Sequence, residues 1–355
     1  MNILVLNWKD VANPEAGGAE VFIQEVASRW VREGLNVTMV TRLFRGGAPT
    51  DSIDGVEVIR MGGRFTVYRQ AKAWYRKNGA RFDVIFESVN TRPFFPHLYP
   101  GTPAAVSLFH QTATEIWSYE FPKLVAWAGR YLLEPKWLRR YARARVLGQS
   151  KSTVEDLKSR GVRRVELVPI GATVPSSQPN VDKAPVPTVI FVARMSANKR
   201  PEHALVAWRL ARREIPDLQI WMLGEGPMAE KLNRGEPGVE FLGKVSNEEK
   251  FARMAAAHVL VATSVREGWG MTVTEAAAMG TLPIGYSVPG LRDSVNAASG
   301  KIVEPNPVAM AAAIVEAINS GEALSFKPVP APGWDDTAAA CLKHLEAAVQ
   351  AKRTK

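Results

Sequence analysis

The chain has 355 residues, 46% hydrophobic and 23% charged, enough apolar material for two domains that each bury a sizeable core. Its formal net charge is +10 and it holds one cysteine, Cys341, which excludes an intrachain disulfide and suits a reducing cytoplasm. The opening Met1-Asn2-Ile3-Leu4-Val5-Leu6 lacks the cationic region, apolar stretch and small-residue cleavage site of a signal peptide. No run approaches the roughly eighteen apolar residues of a spanning helix. The expectation is a cytoplasmic protein, soluble or peripheral at the inner face of a membrane.

In chain order, Ile3 to Asn7 reads as a buried strand. Ala19 to Glu33 has helical spacing, with Val21, Phe22, Val26 and Trp30 on the apolar side. Val37 to Thr41 is the next strand, and Gly46-Gly47 and Asp54-Gly55 mark turns. Tyr68 to Asn78 is helical, and strands follow at Asp83 to Glu87 and Ala104 to Phe109. Phe121 to Tyr141 reads as helix interrupted by Pro135, and strands at Arg145 to Gln149 and Arg164 to Val168 end the first sheet. Residues 171–188 then bring Pro175, Pro179, Pro185 and Pro187 with little apolar periodicity, which marks a domain boundary.

A second series begins at Val189. Helix 201–214, strands 218–223 and 239–242, helix 247–256, strand 258–262, helix 272–279 and strand 282–285 follow. After Pro328, Pro330 and Pro332 a tail helix runs from about Asp335 to Lys352. Strands alternating with helices predict an α/β protein. The expected domains are 1–172, a linker at 173–188, 189–330 and a tail at 331–355 that packs back on the first domain. Doubly wound sheets of this kind bind ligands beyond the carboxyl ends of their strands.

The charge is uneven. Residues 1–180 carry 25 Lys or Arg against 16 Asp or Glu, a net of +9, and the remaining 20 against 19 give +1. Nucleic acid, an anionic membrane or an anionic substrate could use such a field, and so could a merely soluble surface. No recognition-helix motif is present, so a nucleic-acid partner is not expected. Between Trp117 and Arg145, seven aromatic residues interleave with Lys123, Arg130, Lys136, Arg139, Arg140, Arg143 and Arg145. Basic residues beside aromatics suit anionic headgroups. Core aromatics with a solvated basic face are the alternative.

Three constellations could carry chemistry. Gly17-Gly18-Ala19-Glu20, between the first strand and helix, lets a ligand approach the backbone near a helix start; a structural tight turn is the other reading. Arg194 and Lys199 follow the strand at Val189 and could neutralise a diphosphate leaving group, a task that then requires no metal. Arg266-Glu-Gly-Trp-Gly-Met-Thr-Val-Thr-Glu275 places Glu267 in a loop and Glu275 in the first turns of a helix. The amides of Gly270, Met271 and Thr272 offer an anion site, and the two carboxylates can accept from sugar and ribose hydroxyls. No Cys/His spacing suggests structural zinc, His258 reads as a core or strand-edge histidine, and Glu115 and Glu120 could face an acceptor.

These motifs resemble glycosyltransferase family 4. The spacing from Glu267 to Glu275 is similar to the family's E-x7-E motif. Arg194 and Lys199 match its diphosphate pair, Gly17 and Gly18 its glycine pair, and His110 in Leu108-Phe109-His110-Gln111 its histidine after a central strand. Leu223-Gly224-Glu225-Gly226-Pro227 and Gly280-Thr281-Leu282-Pro283 match as well, so the likeness runs through residues 1–310.

The resemblance implies two facing Rossmann-like domains (the GT-B fold) with an interdomain cleft, a nucleoside diphosphate sugar (UDP or GDP) as co-substrate, and transfer with retention to a hydroxyl of a glycan, lipid-linked glycan or small molecule. Glu267 would touch the transferred sugar, Glu275 the ribose, Gly243 and Lys244 the base, and His110 the sugar from the acceptor side. Three positions depart from the family: Ala193 where Gly precedes the Arg, Arg200 where Gly commonly follows the Lys, and Pro289-Gly290-Leu291-Arg292-Asp293 for a Gly-Gly-x-x-Glu segment. A non-hydrolysing nucleotide-sugar epimerase and a non-catalytic sugar-nucleotide or glycan binding protein are the alternative functions.

Overall fold

Ile3, Leu4, Val5 and Leu6 are fully buried, as a strand covered on both faces requires. In the computed structural model, which describes residues 1–354, they form β1 (Asn2–Leu6). Seven more strands join it: β2 (Asn36–Thr41), β3 (Thr50–Ile53), β4 (Val56–Arg60), β5 (Val84–Val89), β6 (Ala105–Phe109), β7 (Arg145–Gly148) and β8 (Arg164–Leu167). The order is β3-β4-β2-β1-β5-β6-β7-β8. Every pairing is parallel except β3 with β4, a hairpin turned at Asp54-Gly55. The sheet reverses its winding between β1 and β5, where the crevice of a doubly wound sheet opens.

A second sheet contains β9 (Thr188–Val192), β10 (Gln219–Leu223), β11 (Val239–Gly243), β12 (Val259–Ala262), β13 (Leu282–Tyr286) and β14 (Lys301–Val303). Its order, β11-β10-β9-β12-β13-β14, is parallel throughout and reverses between β9 and β12. Its core packs Trp208, Phe191, Met222 and Ile284 against helices Pro201–Ala211 and Pro307–Asn319. The fold class is thus α/β, with two parallel sheets.

The chain divides into two units, the first made of Met1–Thr114, Trp127–Gly171 and Pro332–Lys355, the second of Glu115–Ala126 and Ala172–Ala331. This differs from the expected boundary at 172, because residues 115–126 belong with the second unit. There Arg266 Nε donates to Glu115 Oε2 at 2.8 Å and Arg200 Nη2 to the Tyr119 hydroxyl at 2.8 Å. Within the Pro-rich stretch, Lys183 Nζ donates to the carbonyls of Ala257 (2.6 Å) and Gly280 (2.9 Å). Burial lowers its pKa to about 8.

Pro135 does not break its helix. It lies in the first turn of Glu134–Arg140, and helical backbone continues through Leu133 and Glu134 from the turn before, so the missing N–H falls at a junction within the helical run. The irregularity precedes it as a π turn at Gly129–Leu133. The tail helix, Trp334–Arg353, packs along helix Gly18–Arg32 in the first unit. Trp334 meets Phe22 edge-on at 5.6 Å, and a Cβ on Gly171 would lie 2.5 Å from its ring. Trp30 Nε1 donates to the Ala338 carbonyl at 3.0 Å. Trp334→Ala should therefore cost about 3 to 5 kcal/mol. The check is urea unfolding followed by thiol labelling of Cys341, fully buried on the same helix; an unchanged midpoint would refute the packing role.

Candidate functional site

In the second unit the polar loops after β9 and β12 lie on either side of the switch in strand order. Their approach is fixed by backbone groups. Thr263, just past β12, is fully buried, and its hydroxyl lies 2.9 Å from the carbonyls of both Lys199 and Arg200. Val265 N donates to the Asn198 carbonyl at 2.9 Å. These bonds hold the short 3-10 turn Ala197–Lys199 against the loop that carries Glu267. As a result Lys199 Nζ lies 2.5 Å from Glu267 Oε1, and Ser264 Oγ donates to the same oxygen at 2.5 Å. The second carboxylate oxygen has no partner among the described residues.

Beneath Glu267 runs the segment Pro289-Gly290. Glu267 N donates to the Pro289 carbonyl at 3.1 Å. A Cβ on Gly290 would lie 1.9 Å from the Glu267 carbonyl oxygen, and its φ is +77°, so only glycine fits. The same device supports Arg194: a Cβ on Gly224 would lie 2.0 Å from the Ala193 carbonyl oxygen. Met195 N donates to the Glu225 carbonyl at 2.9 Å. Arg194 itself is exposed and has no side-chain partner among the described residues.

Helix Met271–Ala278 begins at Gly270, whose φ of +94° is left-handed. Amides such as those of Met271 and Thr272, at the start of a helix, have no intrahelical acceptor. Glu275 is buried one turn in, and its Oε2 lies 3.0 Å from Lys250 Nζ of helix Asn247–Ala256. Its other oxygen is unpartnered among the described residues. Gly243 closes β11 and accepts from Gly224 N at 2.7 Å, with Lys244 exposed beside it. Sequence reasoning missed Thr263, Ser264 and Lys250. The first two are polar residues at a strand end, a detectable signal; Lys250 comes from another helix and gave none.

In the first unit, His110 follows β6 and is buried. Its Nε2 shares a hydrogen bond of 2.9 Å with Ser88 Oγ, and Phe22 meets its ring edge-on at 5.7 Å. Burial lowers its pKa to about 4, against a small raising effect from Gln149. Gly17 and Gly18 are not a sharp turn: Gly17 is extended (φ −143°) and Gly18 starts the helix. Nor is the Gly17 amide free. It donates to Glu20 Oε2 at 2.7 Å, the reach-back of a carboxylate to its own helix start. Burial raises the Glu20 pKa, opposed by Lys9. Glu115, which could face an acceptor, is paired with Arg266. His258 is a structural residue whose Nδ1 accepts from Thr188 N at 3.1 Å.

Two doubly wound parallel units in one chain are the GT-B type of fold, and comparison with known proteins agrees. The family model described as Glycosyltransferase Family 4 matches residues 16–174, and that described as Glycosyl transferases group 1 matches residues 186–320. The chain belongs to the group 1, family 4 glycosyltransferases. A GDP-mannose-dependent alpha-(1-6)-phosphatidylinositol dimannoside mannosyltransferase of Mycobacterium tuberculosis is 26% identical over 172 residues, 45% of this chain and 45% of that relative. The chain thus spans about half the length of the curated relatives it matches.

Two solved structures share the fold. Sucrose-phosphate synthase from Thermosynechococcus elongatus has a TM-score of 0.72 and 19% identity, over 99% of this chain and 94% of that one. WaaG, a glycosyltransferase involved in lipopolysaccharide biosynthesis, has a TM-score of 0.70 and 17% identity, over 99% and 98%.

The His110 pKa gives a signed prediction. A folded pKa near 4 lies below the unfolded value of about 6.5. The stability of burying the neutral ring is therefore complete above pH 6.5 and lost as pH falls through 4. The stability advantage of wild type over His110→Gln should shrink across that window, by up to about 3 kcal/mol. Urea titrations at pH 7 and pH 4 measure it, and a pH-independent difference would contradict the assignment.

Proposed function

We propose that this glycosyltransferase moves a sugar from a UDP- or GDP-sugar to a hydroxyl of a lipid-linked glycan, with retention of configuration. The observation that carries the reading is the Lys199–Glu267 pair, held by Ser264 and backed by Gly290, in the loop leading to the glycine-started helix Met271–Ala278. Lys199 and Arg194 supply positive charge to the diphosphate as the bond to the sugar breaks. The amides of Gly270, Met271 and Thr272 add donors at the positive end of the helix. The unpartnered oxygen of Glu267 accepts from a hydroxyl of the transferred sugar, and that of Glu275 from the ribose. Gly243 and Lys244 lie by the base.

The C1–O bond to the phosphate breaks on the face at which the acceptor oxygen forms its new bond. The acceptor proton passes to the departing phosphate oxygen. No protein carboxylate pair of the glycosidase kind is needed for that sequence. Neutral His110 contacts the sugar from the acceptor side without adding charge. The cations Lys199 and Arg194 do at the diphosphate what a divalent ion does elsewhere, so we assign the chemistry no metal.

Glu275→Ala should weaken binding of the matching nucleoside diphosphate by about 1.5 to 3 kcal/mol, the worth of hydrogen bonds to a charged group. A thermal-shift panel of nucleoside diphosphate sugars identifies the donor, and calorimetry compares the variant with wild type. Unchanged affinity would refute the ribose role, and a panel without any hit would sink the donor assignment.

The acceptor reading draws on one stretch of chain. From Lys123 to Arg140 the buried residues are mainly small or anchoring: Ala126, Gly129, Glu134 and Leu138. The exposed ones are Leu124 (84% exposed), Trp127 (56%), Tyr131 (57%) and Leu132 (54%), with Lys123, Lys136, Arg139 and Arg140 exposed along the same run. Large apolar side chains in water beside basic ones suit an anionic bilayer surface. Among the described residues no helix is long and apolar enough to cross a membrane, so the attachment we propose is peripheral. The protein should float with phosphatidylglycerol-containing vesicles at physiological salt and lose most of that binding on Trp127→Ser, Tyr131→Ser with Arg139→Glu, Arg140→Glu. Wild-type protein left at the bottom of the gradient rules the membrane reading out.

A further inference from the structure

The first unit has its own concentration of polar groups at its switch point, and the donor chemistry does not use it. Trp8 follows β1, Arg42 follows β2, Arg64 lies in the turn after β4, Tyr68 begins helix Val67–Asn78 and Arg92 follows β5. All five sit at the carboxyl end of the sheet, around the β1–β5 reversal. The guanidinium carbon of Arg42 lies 4.8 Å from the Trp8 ring centre and that of Arg64 5.9 Å. Arg92 stacks at 4.5 Å on Tyr68, which packs at 4.6 Å on Phe94. The Trp8 indole donates to the Arg64 carbonyl at 3.4 Å, tying the two loops together. The Tyr68 hydroxyl is within electrostatic reach of Arg92, Arg42 and Arg64, and of the buried carboxylate Glu87, whose oxygens are taken by four internal donors.

The pairing of these cations is incomplete. Arg42 Nη2 meets Glu15, whose side chain is 55% exposed, while Arg42 Nε is buried with no hydrogen-bond partner. Arg64 and Arg92 have no ion pair among the described residues. Three like charges gathered around a single half-exposed carboxylate, Glu15, repel one another, and stacking on aromatic faces offsets only part of that. Planar guanidiniums already oriented by rings are pre-organised to fork onto the oxygens of a phosphate.

We propose that Arg42, Arg64 and Arg92, on the platform of Trp8 and Tyr68, form a subsite for a phosphate ester carried by the acceptor. The proposal rests on the function proposed above, in which the acceptor lies on the side of His110, a residue of the first unit. The phosphate is either a monoester on a sugar or the diester of a lipid headgroup, and both present the oxygens the arginines need. Arg64 and Arg92 are exposed, so replacing them leaves the core intact.

The test is calorimetry on the full chain with glucose 6-phosphate as the monoester probe and glycerophosphoinositol as the headgroup probe, each with its uncharged parent, glucose or inositol, as control. Titrations are run with saturating nucleoside diphosphate to fill the donor side. One ester should bind saturably, its parent should not, and Arg64→Ala, Arg92→Ala should weaken binding tenfold or more while nucleoside diphosphate affinity holds. Which ester binds identifies the source. Absence of saturable binding by both, an affinity unchanged in the double variant, or loss in Lys199→Ala instead overturns the proposal. A nucleotide that fails to bind wild type while the ester still does would strike the donor reading and leave this subsite standing.

Discussion

The chemistry assigned to the second unit depends on one buried hydroxyl. Thr263 Oγ1 sits 2.9 Å from two successive carbonyls, those of Lys199 and Arg200. Without that link the loop after β9 would be joined to the loop after β12 only by the bond from Val265 to Asn198 and by side chains. The link also bears on a departure from the family pattern. Arg200 occupies the place where glycine is common, and its φ of +49° is left-handed. Such a conformation costs a non-glycine residue of order 1 kcal/mol or more. Thr263 holds the strained carbonyl on one side, and Tyr119 takes the guanidinium at 2.8 Å on the other. The chain has kept the backbone geometry that glycine gives freely and gained a cation there.

Buried and half-buried carboxylates in this protein fall into two kinds, distinguished by how many of their oxygens are used. Glu87 in the first unit spends both: Oε1 accepts from Phe94 N and Phe95 N, Oε2 from Ser107 and Tyr141. Burial raises its pKa, and the four donors only oppose that. Glu134 likewise takes the amides of Ala113 and Thr114, one on each oxygen. Both are internal braces, with each oxygen engaged by a donor of the protein itself. Glu267 and Glu275 each have one oxygen fixed by a lysine and one unpartnered. The lysine offsets the cost of burying the charge, and in the function we propose the remaining oxygen is held in place for a hydroxyl.

Much of this was legible because strands and helices here obey simple periods. β1, β9 and β13 read as short apolar runs, and the helices at 18–32 and 247–256 as amphipathic repeats. What escaped had identifiable causes. The β3–β4 hairpin is exposed on β3, with the run Thr50–Ile53 lacking apolar alternation, so only its Asp54-Gly55 turn showed. Residues 115–126 looked continuous with the first sheet because nothing local reveals that Glu115 meets Arg266, 151 positions away. Gly17-Gly18 suggested an open anion site, but its competitor, Glu20, was three residues off in plain view. The E-x7-E spacing placed both acids, yet the lysines that orient them come from separate elements and follow no spacing rule.

The two units handle the charge around their switch points differently. In the second unit Lys199, Lys250 and Arg266 all face carboxylates of the same unit, and Arg194 is exposed without a side-chain partner among the described residues. In the first unit the deep pair is structural. Arg60 holds Asp10 through two bonds of 2.8 and 3.0 Å, both side chains almost wholly buried, and fixes the loop after β1. Trp8 at the head of that loop then has a set position, and the arginines that gather on it and on Tyr68 inherit a fixed geometry, with Glu15 on Arg42 as their one ion-pair partner among the described residues. The buried pair fixes the loop, and Arg64 and Arg92 beside it have no ion pair among the described residues. A surface of that kind gains most from an anion brought by something else.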